Sequence, residues 1–224
     1  MKILLIETAT PVCSVALAEN GQVTKSFSSD APNAHSTQLP LMVRDLLPEQ
    51  LDAVCISAGP GSYTGLRIGV STAKGLCYGR NIPLLSVPTL MSMAHLYYAQ
   101  HPGYQGLVCP MIDARRMECY TMIASRTNVL RDTQADIVDA HTYDEWLGQN
   151  EVTFIGNGAD KTRPLLEAHS NARYDNTFRP SAEGMLETAE QKLRHSQFED
   201  VAYYEPYYLK DFVAKKSVVH GLRD

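Results

Sequence analysis

No stretch of this sequence approaches the roughly 20 consecutive apolar residues that a membrane-spanning helix needs. The opening segment, Met1-Lys2-Ile3-Leu4-Leu5-Ile6-Glu7, does not read as a signal peptide, because its apolar run is short and an acid interrupts it. Basic clusters are scarce as well. The 224 residues carry 20 Lys and Arg against 25 Asp and Glu, a formal net charge of -5, and the nearest approach to a cluster is Lys215-Lys216. Such a chain is a poor candidate for binding nucleic acid alone, since neutralising phosphates takes grouped cations. The five cysteines, Cys13, Cys55, Cys77, Cys109 and Cys119, are odd in number and widely spaced. Neither a disulfide framework nor a zinc site has that spacing. They are expected to be buried, reduced and inert in a cytoplasmic protein.

What is present is enough apolar residue, 44%, for a sizeable core, in a chain long enough for one large domain or two small ones. Residues 2–8, 13–18 and 22–28 read as strands, with Asn20-Gly21 as a hairpin turn between the last two. A helix over 36–47 follows, opened by Ser36 and patterned by Leu39, Met42, Val43, Leu46 and Leu47. Then come a strand over 51–57, a glycine-rich loop, a helix running to Gly79, a short strand over 84–87 and a helix over 88–100. After His101-Pro102-Gly103 the order begins again. Strands are expected over 107–113, 118–125, 129–133 and 152–155, and helices over 142–147, 160–168 and 181–195. Strands alternating with helices in two similar halves imply mixed sheets covered by helices. The expected fold is α/β and two-lobed, like actin, the sugar kinases and the heat-shock ATPases, with lobes over 1–103 and 104–224.

The glycine-rich loop is Gly59-Pro60-Gly61-Ser62-Tyr63-Thr64-Gly65-Leu66-Arg67-Ile68-Gly69. In the helix it opens, Gly65, Gly69, Ala73 and Cys77 stand four apart, so four small side chains share one face. Such a face suits either close packing on the protein's own sheet or a tight contact with another helix. Glycine inside a helix costs about 1 kcal/mol relative to alanine, so several of them need a packing reason. Leu66, Ile68, Val70 and Leu76 are apolar enough to cover the sheet, which favours the interface reading. Gly69→Leu would then abolish docking and leave the monomer folded. Arg67 interrupts the small, apolar stretch as a surface arginine or as an ion-pair or phosphate contact at the rim. Asp113, Arg115 and Glu118 are expected to form a charged network holding the lobes together.

Catalytic constellations are not apparent. Ser62 lacks the Gly-x-Ser-x-Gly elbow, because Pro60 and Thr64 stand where that motif needs glycine. The histidines are scattered without ligand spacing. Thr8 and Thr10 on the first turn are able to donate to a phosphate, and Gly156-Asn157-Gly158 is either a nucleotide-side loop or an ordinary strand-to-helix turn.

Five blocks, taken together, resemble the TsaB (YeaZ) family. They are residues 3–10 (ILLIETAT), His35-Ser36, residues 59–75, residues 113–120 (DARRMECY) and Gly156-Asn157-Gly158. The resemblance implies a non-catalytic subunit that needs no cofactor, binds TsaD and helps recruit the ATPase TsaE, for threonylcarbamoylation of the tRNA adenosine beside the anticodon. It places the partner contact on two helices, at Leu39, Met42, Val43, Leu46, Gly65, Arg67, Gly69, Ala73 and Cys77. A homodimer through the same patch is expected where TsaD is absent, and tRNA is reached only through the complex. Related TsaD proteins bind metal with two histidines one helical turn apart. Here His35 is matched by Leu39, and Glu7 stands where the family usually has Asp, so no metal site is expected. The alternative is an actin-fold small-molecule kinase or nucleotide-binding protein.

Overall fold

The computed structural model describes residues 1–210. Lys215-Lys216 and the rest of the last segment lie outside the described residues. The first lobe runs β1 (Lys2–Glu7), β2 (Cys13–Glu19), β3 (Gln22–Ser29), α1 (Ala34–Thr37), α2 (Leu39–Leu46), β4 (Ala53–Ser57), α3 (Tyr63–Arg80), β5 (Leu84–Val87) and α4 (Thr89–Gln100). The second repeats it with β6 (Leu107–Asp113), β7 (Glu118–Ala124), β8 (Val129–Ile137), α5 (Asp144–Leu147), β9 (Val152–Ile155), α6 (Ala159–Leu166), β10 (Ala172–Asp175), a 3-10 turn (Ala182–Met185) and α7 (Leu186–Arg194). The sheets have orders β3-β2-β1-β4-β5 and β10-β9-β6-β7-β8, which are the same topology. In each, the first three strands are antiparallel neighbours and the last two add in parallel.

Local chemistry accounts for most of these boundaries. Asn20 and Gly21 both take positive φ, 51° and 84°, which is what a tight hairpin between β2 and β3 requires. The expected helix over 36–47 is broken at Gln38, just before Pro40. Ser36 does not cap it; its hydroxyl donates to the Asn33 carbonyl at 3.0 Å from inside α1. Ser62 does cap α3, accepting from the Gly65 N–H at 3.2 Å. The expected helix over 181–195 splits into the 3-10 turn and α7, with Ser181 accepting from the Glu183 N–H. Strand β10 went unforeseen, because Ala-Arg-Tyr-Asp has no apolar alternation.

The division at residue 103 follows the two sheets but not the helices. One face of the first sheet is covered by α2 and α3 through Leu39, Val43, Leu46, Val70 and Ala73. Its other face is covered from far along the chain: Ala182, Met185 and Ala189 pack on Ile3, Leu5, Cys55, Leu85 and Val87. Conversely, Leu90, Met93 and Ala94 of α4 pack on Val108, Ile112 and Ile155 of the second sheet. Each lobe therefore lends a helix to the other. The two loans meet where Gly184 lies against the Ser92 backbone, so close that a Cβ there would overlap the Ser92 carbonyl oxygen. This joint, rather than a charged network, holds the lobes together. The Ala182 N–H also donates to Ser14 Oγ at 3.2 Å.

The tyrosine-rich tail is a strap over the first lobe. Glu199 bridges to Leu84, and its carboxylate accepts from Ser86 Oγ at 2.5 Å. Tyr204 packs against the core under α3, and the Tyr207 N–H donates to the Ala58 carbonyl at 2.7 Å.

Met185 is fully buried in the first lobe's core although it lies 98 residues past the last strand of that lobe's sheet. Met185→Ala is expected to lower unfolding free energy by about 2–5 kcal/mol. Urea titration checks this; a loss under about 1 kcal/mol would mean the lent helix contributes no core.

Candidate functional site

The site begins where α3 meets the turn after β1. The face made by Gly65, Gly69, Ala73 and Cys77 is buried. A Cβ at Gly65 would overlap the Thr8 carbonyl oxygen, one at Gly69 would overlap Thr8 Oγ1, and one at Gly61 would overlap the Ala9 carbonyl oxygen. The Ser62 N–H donates to the Ala9 carbonyl at 2.6 Å. Glycine is needed here so that a helix can lie directly on a backbone turn. Thr8, Ala9 and Thr10 are all buried, Thr8 and Ala9 directly against the helix, whereas Thr10 lines a cavity of about 260 Å³ with Gly156 and Asn157.

Glu7 is directed away from any ligand. Its carboxylate is buried and accepts from the Ala9 N–H at 2.6 Å. Burial pushes its pKa up to about 7, opposed by the bonds from Ala9 and Ser57. His35 is also self-contained. Burial, working against the nearby Thr10 and Val12 backbone, holds its imidazole below the ordinary pKa. Its Nε2 is buried without a hydrogen-bond partner. Leu39, one turn on, is buried in the core.

In the second lobe, β6 and β7 are joined by a tight turn in which Arg115 and Arg116 both take positive φ, 74° and 51°. The expected pairing of Asp113 with Arg115 is not through the guanidinium. Asp113 forms an ion pair with Lys161 and accepts the Arg115 N–H at 2.8 Å. Glu118 pairs with Lys210 of the strap, which ties that strap to the second lobe. Gly156-Asn157-Gly158 is a packed turn: Gly156, at φ 94°, lies against the Met111 carbonyl, and Asn157 Oδ1 accepts the Asp113 N–H at 3.1 Å.

Arg67 is exposed, but it is held. Its guanidinium stacks 4.2 Å from the Tyr63 ring centroid and donates to the Tyr208 hydroxyl at 3.3 Å. Tyr63 and Tyr208 are themselves 4.8 Å apart. Sequence reasoning missed this link between α3 and the strap, because nothing local in Tyr207-Tyr208 indicates what it touches.

The comparisons with known proteins bear on this geometry. A family model described as TsaD, tRNA N6-adenosine threonylcarbamoyltransferase, matches residues 28–218. The protein described as tRNA threonylcarbamoyladenosine biosynthesis protein TsaB from Escherichia coli is 32% identical, over 97% of this chain and 98% of that one. Its Bacillus subtilis counterpart is 34% identical over 75% and 76%. The chain belongs to the TsaB (YeaZ) family. The solved structure of YeaZ from Pseudomonas aeruginosa agrees with it in fold, with a TM-score of 0.76 at 25% identity, covering 93% of this chain and 99% of that one.

The family resemblance had suggested nine interface residues. Leu39, Val43, Leu46, Gly65, Gly69, Ala73 and Cys77 are buried within the protomer, Met42 is half-buried, and only Arg67 is exposed. The correction has a simple cause. Helix α3 carries two stripes of small residues at the same spacing, and the one formed by Ser71, Gly75 and Gly79 faces outward. Gly75 and Gly79 have open space where a Cβ would stand. The cysteines behave as expected: all five are free and buried, and burial pushes the Cys119 thiol up to about 11. Among the described residues, no helix is long and apolar enough to cross a membrane.

Two outcomes follow from the packing of α3 and its turn. Gly69→Leu is expected to unfold the protein or cost more than about 3 kcal/mol, since the Thr8 turn has nowhere to move; a cooperative melt near the wild-type midpoint would contradict this. Glu7 titrates at 4.5 ordinarily and at about 7 in the fold, so the folded state holds the proton more tightly. Stability should fall as pH rises from 4.5 to about 7 and level off above it. Glu7→Gln keeps an acceptor for the Ala9 N–H, removes that slope and gains about 1–3 kcal/mol at pH 8, readable by denaturant titration across pH.

Proposed function

We propose that this protein serves tRNA threonylcarbamoyladenosine biosynthesis as a subunit that does no chemistry itself and acts by docking on TsaD. The observation that carries this reading is the outward surface of α2 and α3. Leu41 on α2 is 49% exposed and Tyr78 on α3 is 85% exposed, and Met42, Ile68 and Leu76 of the same helices are only partly covered. The Ser71, Gly75 and Gly79 stripe lets a partner helix approach the α3 backbone, while exposed aromatic and aliphatic side chains anchor it. Helices α2 and α3 rest on one sheet face through Leu39, Val43, Leu46, Val70 and Ala73, so the surface is presented on a rigid base.

The absence of chemistry is supported by the same packing. Thr8, at the start of the turn that would face a phosphate, is covered by α3, and the carboxylate of Glu7 is engaged by its own backbone. A kinase-like reading therefore loses Thr8 as a phosphate donor. The effect on TsaD is organisational: docking holds the partner in a competent arrangement and creates a composite surface for TsaE. Without TsaD, the same surface pairs with a second copy, as an exposed apolar patch tends to do. Contact with tRNA is made through the complex, in keeping with the net charge of -5.

Gly75→Arg separates docking from folding. Nothing lies within 4 Å of a Cβ at Gly75, so the variant should melt at or above the wild-type temperature. It is expected to weaken binding to the TsaD of the same organism at least about 30-fold, measured by sedimentation or calorimetry. Undiminished binding by the folded variant would remove this surface from the interface.

A further inference from the structure

Between the lobes lies a cavity that the docking reading does not use. Its volume is about 360 Å³, within the range of small-molecule pockets. Ser62 and Thr64 line it from the first lobe, Arg115 and Tyr120 from the second, and Tyr208 and Lys210 from the strap.

The charges around it do not balance. Asp113, which also lines it, already has Lys161, and Glu118 already has Lys210. Arg115 offers Asp113 only its backbone N–H, and its guanidinium makes no hydrogen bond or ion pair among the described residues. Its charge is nevertheless felt close by: with Lys161 it holds the Asp113 carboxyl below the usual range against burial, and with Lys210 it opposes the burial that raises Tyr120. One full positive charge therefore lines the cavity without a hydrogen-bond or ion-pair partner among the described residues. A guanidinium presents five donors in a plane and matches the paired oxygens of a carboxylate or phosphate. The other wall is aromatic: Tyr208 packs against Tyr63 with the rings tilted by 38°, and Tyr120 stands on the second lobe's strand β7. The positive end of α3 adds to the field in the same sense.

We infer that this cavity binds a small organic anion, its oxyanion head held by Arg115 and its planar body lying against the tyrosine rings. Phosphate monoesters and carboxylates share that chemistry, and the probes separate them. The intact protein, without any partner, is titrated by calorimetry and by amide NMR with adenosine monophosphate, with benzoate, and with adenosine as the planar body lacking a head. At least one anion should bind, with adenosine about tenfold weaker than its monophosphate or not at all. Arg115→Ala should weaken the bound anion at least about tenfold, as loss of a charged hydrogen-bonding partner does. Arg116→Ala removes the same charge from the same turn but not from the cavity wall, and should leave affinity unchanged. Binding of the monophosphate alone assigns a phosphate site, and of benzoate alone a carboxylate site. No binding of either anion up to about 10 mM, equal losses in the two arginine variants, or adenosine binding as well as its monophosphate would each overturn the inference. Since the isolated chain is used, failure here is distinguishable from failure to dock on TsaD.

Discussion

The contact on which the rest of the structure depends is the seating of α3 on the turn after β1. Gly61, Gly65 and Gly69 let helix backbone and turn backbone meet with no side chain between them. That seat fixes the height of α3 above the sheet, and α3 in turn positions both its outward surface and its first turn at the cleft. The same contact covers Thr8. One packing decision thus buries the start of the turn after β1 and sets which face of α3 points outward.

The second organising feature is the exchange of helices between lobes. Helix α4 fills the second lobe's core, while the Ala182–Met185 turn and α7 fill the first. The lobes meet through backbone approach at Gly184, with the strap tying Tyr207 to Ala58 on one side and Lys210 to Glu118 on the other. Neither lobe has a complete core without residues lent by the other. This explains why a duplicated fold, which in principle could hinge, is here joined by apolar burial rather than by surface charges. Apolar burial removes far more area from water than an exposed ion pair and is not screened by salt.

The two surfaces that remain for function have opposite characters. The outer face of α2 and α3 is shallow, with exposed Leu41 and Tyr78 alongside the exposed Arg44–Asp45 pair. The cleft is small, aromatic and positively charged at Arg115. Arg67 sits between them, stacked on Tyr63 and bonded to Tyr208. Helix α3 and the strap therefore touch both regions.

Much of this was legible in the amino-acid order. The apolar runs of β1, β2 and β6, the Asn20-Gly21 turn and the blocks shared with the TsaB family are local signals, readable because backbone sterics and neighbouring side chains determine them. Strand β10 and the strap were not legible, since Ala172–Asp175 and Tyr207-Tyr208 are ordered only by residues distant in sequence. Nor was the direction of α3. Two small stripes, Gly65-Gly69-Ala73-Cys77 and Ser71-Gly75-Gly79, have the same spacing, and periodicity reports the spacing but not which stripe is inside. Sequence alone determined that α3 can approach another backbone closely. Tertiary structure decided that the backbone it meets is its own Thr8 turn, because Leu66 and Val70 flank the first stripe and their burial rotates that face inward.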